Sequence, residues 1–219
     1  MRALTISTLL ILLAAPAASF AQTPRGYANL AGGFAVTSDN TSGDVVGEAG
    51  VRVATNLFVF GNLGRFANVA PSAFQQTVDA TSASLATGGL AVTGTARVPA
   101  WYTMGGVRWI VPTSTKIAPY VFGSAGLAHV TDTATFTYTS GTLAGATPIA
   151  GDDVTQQLVS LGDYVQPAAS NAFMLSFGGG VQAPVAPRLV VDVGYRVSRI
   201  GTDTPFNAQS VTFGFGYKF

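Results

Sequence analysis

Of the 219 residues none is cysteine, one is histidine (His129) and one is glutamate (Glu48). Without cysteine the chain has no disulfide, no thiolate metal site and no thiol nucleophile. Charge is scarce too: charged residues make up 10%, against about 25% in a typical soluble domain. That is too few to cover the surface of a soluble globule of this size. Disorder is excluded from the other side, because 48% of residues are hydrophobic and the mean hydropathy is +0.39. Eleven basic against ten acidic residues give a net charge of +1, which leaves no electrostatic footprint for nucleic acid. Long apolar runs are missing as well. A membrane-spanning helix takes about 20 consecutive apolar residues, and only Leu9 to Ala18 comes near.

That one run reads differently. It follows Arg2 and ends in Ser19-Phe20-Ala21, with small residues three and one positions before a cut. This is the basic start, apolar centre and cleavage site of a secretory signal peptide, too short for an anchor. Cleavage after Ala21 divides the chain into a signal peptide, 1–21, and a mature domain, 22–219. For an exported chain without disulfides, hydrogen-bonded closure of a barrel is one available source of stability.

What fills the mature chain is alternation. In Ser210 to Phe219, Val211, Phe213, Phe215, Tyr217 and Phe219 share one face, and Thr212, Gly214, Gly216 and Lys218 share the other. In Arg188 to Ser198, Leu189, Val191, Val193, Tyr195 and Val197 alternate with Val190, Asp192, Gly194, Arg196 and Ser198. Asn171–Gln182 and Ala100–Val111 repeat the pattern, and further strands are expected at Tyr27–Thr37, Val45–Ala54, Leu57–Arg65 and Ile117–Tyr138. The last is long, and its threonine-rich end (Thr131 to Thr139) is expected to project beyond the membrane. The total is eight. Large apolar groups alternating with charges and glycine suit a lipid face and a polar lumen.

The breaks sort by length. Thr55-Asn56, Pro112–Thr115 and Pro184–Pro187 are tight turns, whereas Ser38–Asp44, Phe66–Pro99, Ser140–Ser170 and Arg199–Ala208 alternate with them, two being long. Short periplasmic turns opposite longer external loops are the asymmetry of an outer-membrane barrel, and an even strand count puts both termini on the short-turn side. Trp101 and Trp109 lie on one strand face, about 20 Å apart along the membrane normal at ordinary rise and tilt, close to the separation of two aromatic girdles. The competing arrangement is a soluble sandwich with two core tryptophans. The fold class is therefore all-β: an eight-stranded antiparallel up-and-down transmembrane β-barrel in the outer membrane. Within the long loops, helices are expected near residues 72–86, where Ser72 to Gln75 reads as a capping box, and 153–161. The stretch Thr87 to Ala96 reads as flexible.

These residues resemble a family, the small eight-stranded bacterial outer-membrane β-barrels or porin-family proteins, a group that includes outer membrane proteins X and W and the barrel of outer membrane protein A. The resemblance is carried by the signal peptide, the end Val211-Thr-Phe213-Gly-Phe215-Gly-Tyr217-Lys-Phe219, and the segments Pro119–Gly123 and Phe177–Gly180. It implies contact with outer-membrane lipid and lipopolysaccharide, and a C-terminal signal at Phe215, Tyr217 and Phe219 read by the barrel-assembly machinery. It leaves the task open, since fold does not fix function.

An eight-stranded barrel is just wide enough for side chains to fill it. Glu48, Arg52, Arg108, Asp192 and Arg196 face the expected lumen, and the preferred reading joins them in a polar network that closes it. The alternative makes the same residues the lining of a narrow passive channel for small solutes, with an apolar funnel at the outer mouth as its mark. An enzyme is not expected, because the single histidine stands near the outer rim with Thr131 two residues on and no serine–acid constellation around it. Asp39 and Asp44 loosely outline a calcium loop without its terminal acid, and Asp152-Asp153 lacks a third ligand, so neither a metal nor a cofactor is implied. The expected product is a monomeric structural or surface-interaction protein.

Overall fold

The computed structural model describes residues 25–37 and 40–219. The signal-peptide segment and Asp39 lie outside the described residues. Among the described residues ten strands form: β1 (Gly26–Val36), β2 (Thr41–Ala54), β3 (Leu57–Phe66), β4 (Leu90–Arg97), β5 (Ala100–Ile110), β6 (Ala118–Val130), β7 (Thr133–Gly141), β8 (Ser170–Pro184), β9 (Leu189–Gly201) and β10 (Phe206–Lys218). Eight of them close a barrel in the order β1-β10-β9-β8-β6-β5-β3-β2, every pair antiparallel. Period-two alternation is what permits this, because one face of each strand meets lipid while the other fills the lumen. Leu30, Phe177 and Phe215 on the outer face are 65%, 65% and 72% exposed. Helices α1 (Ser72–Thr87) and α2 (Thr155–Leu161) occupy the two long loops. No helix among the described residues is long and apolar enough to cross a membrane.

Closure involves the last residue. Phe219 O accepts from the Arg25 and Gly26 N–H groups at 2.7 and 2.9 Å, and Phe219 N donates to Gly26 O at 3.0 Å. The turn Thr55-Asn56 is as short as its sequence predicts, and Asn56 takes a left-handed φ of 62°, which asparagine tolerates better than most residues.

Four expectations need correction. The long strand Ile117–Tyr138 is two strands, β6 in the barrel and β7 outside it, separated at Thr131 and Asp132. The segment read as flexible, Thr87 to Ala96, contains β4, which pairs with β7 in a separate two-stranded ribbon. Its small residues hide a strand whose partner lies about forty positions away. Gly94 is small for a reason: a Cβ there would run into Val78 and Ser82 of α1, so the helix can lie directly on the ribbon. The first external loop is shorter than expected, since β2 begins at Thr41 and carries Asp44 into the wall. Finally, Ser72 and Gln75 form no capping box. Pro71 is the N-cap, and the Gln75 side chain reaches the free edge of β4, its Nε2 donating to Gly94 O (3.2 Å) and its Oε1 accepting from Ala96 N (2.8 Å).

The other ribbon edge is covered as well. Tyr138 N donates to Asp152 O, Val154 N to Phe136 O and Phe136 N to the Thr155 hydroxyl. Both edges are thus satisfied within the chain, as an exposed ribbon needs if it is not to recruit other strands.

Candidate functional site: a layered lumen under a loop cap

Inward-facing side chains stack in layers. The layer nearer the short turns holds Tyr27, Glu48, Arg108, Tyr120, Gln182 and Asp192. Arg108 Nη2 meets Glu48 Oε1 at 2.7 Å, and the Tyr27 hydroxyl donates to the same oxygen at 2.6 Å. The Arg108 guanidinium lies 4.1 Å from the Tyr120 ring centroid and 4.9 Å from that of Tyr27. Asp192 accepts from the Tyr120 hydroxyl and from Gln182 Nε2, both at 2.8 Å. Phe58, Phe60, Ile110 and Phe122 pack around this group.

The next layer outward is built on Asp44, Tyr102 and Arg196. Arg196 Nη2 donates to Asp44 Oδ2 and to the Tyr102 hydroxyl, both at 2.6 Å, and Tyr102 donates to Asp44 Oδ1 at 3.0 Å. The guanidinium also lies over the Tyr102 and Phe66 rings. Beside it, Ser176 and Ser198 share a hydrogen bond of 2.7 Å.

Three lumen tyrosines follow one rule. Tyr27 pairs across strands with Gly50, Tyr102 with Gly64 and Tyr120 with Gly180. A Cβ at any of these glycines would strike the tyrosine's ring or hydroxyl. Each ring therefore lies over a bare stretch of neighbouring backbone and delivers its hydroxyl to a carboxylate on another strand. Buried charge is tolerated only where paired and hydrogen-bonded, and these tyrosines supply the second bond.

Above the two polar layers the lumen is apolar. Phe66, Met174, Ile200, Val130, Ala128, Ala172 and Ala208 are buried, and they are continuous with Val69, Val78, Val98, Phe136, Val154 and Leu158 from the external loops. The ribbon and helices thus form a cap whose underside is the top of the barrel core. The Phe136 ring meets Tyr164 edge-on at 4.9 Å between centroids. Burial also pushes up the carboxyl of Asp132, in the link between β6 and β7, and the Tyr164 hydroxyl, the latter further raised by Asp132.

Of the five residues assigned to a lumen network, Glu48 and Arg108 are brought together and Asp192 stands in their layer. Arg196 pairs with a residue assigned elsewhere, Asp44, which is fully buried rather than part of a calcium loop. Arg52 joins neither ion pair. It sits over the Phe58 ring at 5.4 Å, at the short-turn end of the barrel. Asp44, Tyr27, Tyr102, Tyr120 and Gln182 were missed. Inward alternation was a usable signal for the tyrosines and Gln182, but a hydroxyl or amide carries no charge to draw attention; Asp44 was hidden because the strand was expected to begin one residue later, at Val45. Asp152 and Asp153 accept hydrogen bonds from Ile149 N and Thr155 N in the cap. Among the described residues no group of three His, Cys, Asp or Glu could hold a metal.

Trp101 and Trp109 both face outward, 52% and 45% exposed. At the external rim Arg65, Trp101, His129 and Asn171 fall side by side on β3, β5, β6 and β8. Arg65 covers the Trp101 ring at 5.3 Å, and His129 Nδ1 lies 2.9 Å from Asn171 Oδ1. Phe215, Tyr217 and Phe219 also face outward, at the opposite end.

The family model described as "Outer membrane protein beta-barrel domain" matches residues 6–219. The chain belongs to this family. It is an outer-membrane β-barrel protein, located in the outer membrane. Among solved structures this barrel is similar to Neisserial surface protein A, at 17% identity over 89% of this chain and 96% of that one, with a TM-score of 0.52. It is also similar to a major outer membrane protein from Thermus thermophilus, at 10% identity over 89% and 99% of the two chains, with a TM-score of 0.53. At these identities the likeness concerns the fold alone. No curated protein matches the chain.

Proposed function

We propose that this barrel is a closed, non-enzymatic membrane protein with a structural or surface-interaction role, acting through the cap it presents outside the cell. The observation that carries this reading is the apolar packing of the outer half of the lumen: Phe66, Met174 and Ile200 are at 0% exposure, joined to the cap without a break. A conducting path would need a wet, polar route past these residues, and water does not enter dense apolar packing. Their burial also argues against an apolar funnel for lateral transport. The mature chain starts at Gln22 and is a monomer. Phe215, Tyr217 and Phe219 are read by the barrel-assembly machinery, while the outer face contacts lipid and lipopolysaccharide, with Trp101 and Trp109 in the two girdles.

The test is single-channel recording of the refolded mature chain in a planar bilayer, after heat-modifiable gel migration establishes folding. A folded but silent barrel is expected. Steady, reproducible conductance steps would overturn the reading in favour of a narrow passive channel.

A further inference from the structure

We infer that the periplasmic mouth of the barrel is a binding site for a small organic anion with an apolar body. A cavity of about 160 Å³ opens there, lined by Tyr27, Arg52, Phe58, Arg108, Gln182 and Lys218 among others. All six of these residues lie within two positions of strand ends on the short-turn side. Ligand therefore enters from the periplasm. Outward of Arg108 and its layer come the Asp44–Arg196 layer and the apolar packing, so the site is a dead end that binds and releases at one face.

Among the described residues, two of the cations around it stand outside any ion pair. Glu48 is committed to Arg108 and Tyr27, and Asp192 to Tyr120 and Gln182. Asp44 belongs to Arg196 in the next layer. The C-terminal residue turns its main-chain oxygen to the Arg25 and Gly26 N–H groups. Arg52 and Lys218, which both line the cavity, form no ion pair among the described residues. Hydrogen-bonding capacity is left over as well. Arg108 is 3% exposed, yet its Nε and Nη1 find no acceptor, and neither does the buried Nε of Arg52.

Guanidinium groups with free N–H donors in a partly desolvated pocket suit a carboxylate or phosphate, which they can hold with charge-assisted bonds. The rest of the lining selects among anions. Phe58 and Tyr27 stack edge-on at 5.6 Å, and with Ile110 they give the cavity an apolar wall against which a ring or short aliphatic chain can rest. An anion with such a body gains both contacts, while inorganic phosphate gains only one.

The experiment is isothermal titration of the folded full barrel in detergent micelles with phenyl phosphate and with inorganic phosphate at fixed ionic strength. The expected result is saturable one-site binding, tighter for phenyl phosphate, and weakened tenfold or more by Arg52→Gln and by Lys218→Gln. Both substitutions leave the Arg108–Glu48 pair in place, and gel migration verifies that each variant is folded. Arg65→Gln, at the opposite rim, should bind as the parent does. Absence of saturable heat, equal affinity in the mouth variants, or an equal loss in Arg65→Gln would each overturn the assignment. A silent bilayer recording has no bearing on it, so this site and the closed lumen stand or fall separately.

Discussion

Replacing Arg108 by alanine is the sharpest test of what the polar layers do. The change removes the partner of Glu48, whose side chain is only 9% exposed, and leaves its carboxylate with the Tyr27 hydroxyl as remaining donor. Breaking a buried pair from one side strands a charge and costs about 3–5 kcal/mol. The lost stacking on Tyr120 and Tyr27 acts in the same direction, about 1–2 kcal/mol for a desolvated cation over a ring, and it overlaps with the first figure rather than adding to it. Removing both charges is another matter. Removing both charges of a buried pair leaves none stranded, so Arg108→Met combined with Glu48→Gln, which keeps an acceptor for the Tyr27 hydroxyl, should recover most of the loss. Urea unfolding of the refolded barrel in lipid vesicles, followed by the emission of Trp101 and Trp109, reads both. With a slope of about 2–3 kcal/mol per molar urea, the single variant should lose about 1–2 M in midpoint and the double variant much less. An unchanged midpoint for Arg108→Ala, or a double variant no more stable than Arg108→Ala, would show that the layer is wet and that its charges do not depend on each other.

Three further outcomes follow from the cap and the C-terminus. Gly94→Val should drive α1 off the ribbon, because even a Cβ there meets Val78 and Ser82; limited proteolysis would then cut between residues 72 and 99 while the barrel stays intact, and an unchanged digest refutes the packing. The raised Asp132 carboxyl means that the folded cap favours the protonated acid. Its contribution is fully present below the unfolded value of about 3.9 and is lost as pH rises through the higher folded value, so cap amide protection should fall slightly as pH climbs out of the acid range. Asp132→Asn should flatten that dependence, and a profile identical to the parent's would refute it. Phe219→Ala keeps the main-chain bonds that close β10 on β1; refolding in detergent should be unaffected while outer-membrane levels in cells fall sharply, and equal loss in both assays would make the ring a structural element rather than an assembly signal.

The barrel was legible because its strands obey one local rule. A face that meets lipid for a whole strand must be apolar, and its opposite face need not be, so alternation survives in Leu189–Ser198 and Val211–Phe219 without reference to any partner. The ribbon fails that rule. β4 and β7 are paired outside the membrane, where Thr135 and Thr137 serve as well as leucine would, and β4 is Leu-Ala-Val-Thr-Gly-Thr-Ala-Arg because α1 needs room above it. What specifies β4 is a contact with a helix and with a strand about forty residues on, and neither leaves a period in the sequence. The same distinction separates the residues of the lumen. Glu48, Arg52, Arg108, Asp192 and Arg196 were assigned from facing alone, which is parity along a strand. Partnership depends on register between strands and on reach across the lumen, as with Arg196 and Asp44, 152 positions apart.

The glycines show how the two levels meet. Gly50, Gly64 and Gly180 each look like a generic weak point in a strand. Across the ladder each faces a tyrosine, and the missing side chain lets that ring cover the backbone and aim its hydroxyl at a carboxylate. A narrow barrel cannot fill its lumen with large residues on every strand. Large and absent side chains must alternate around it, and the space that glycine vacates on one strand is what lets its neighbour hold a buried acid.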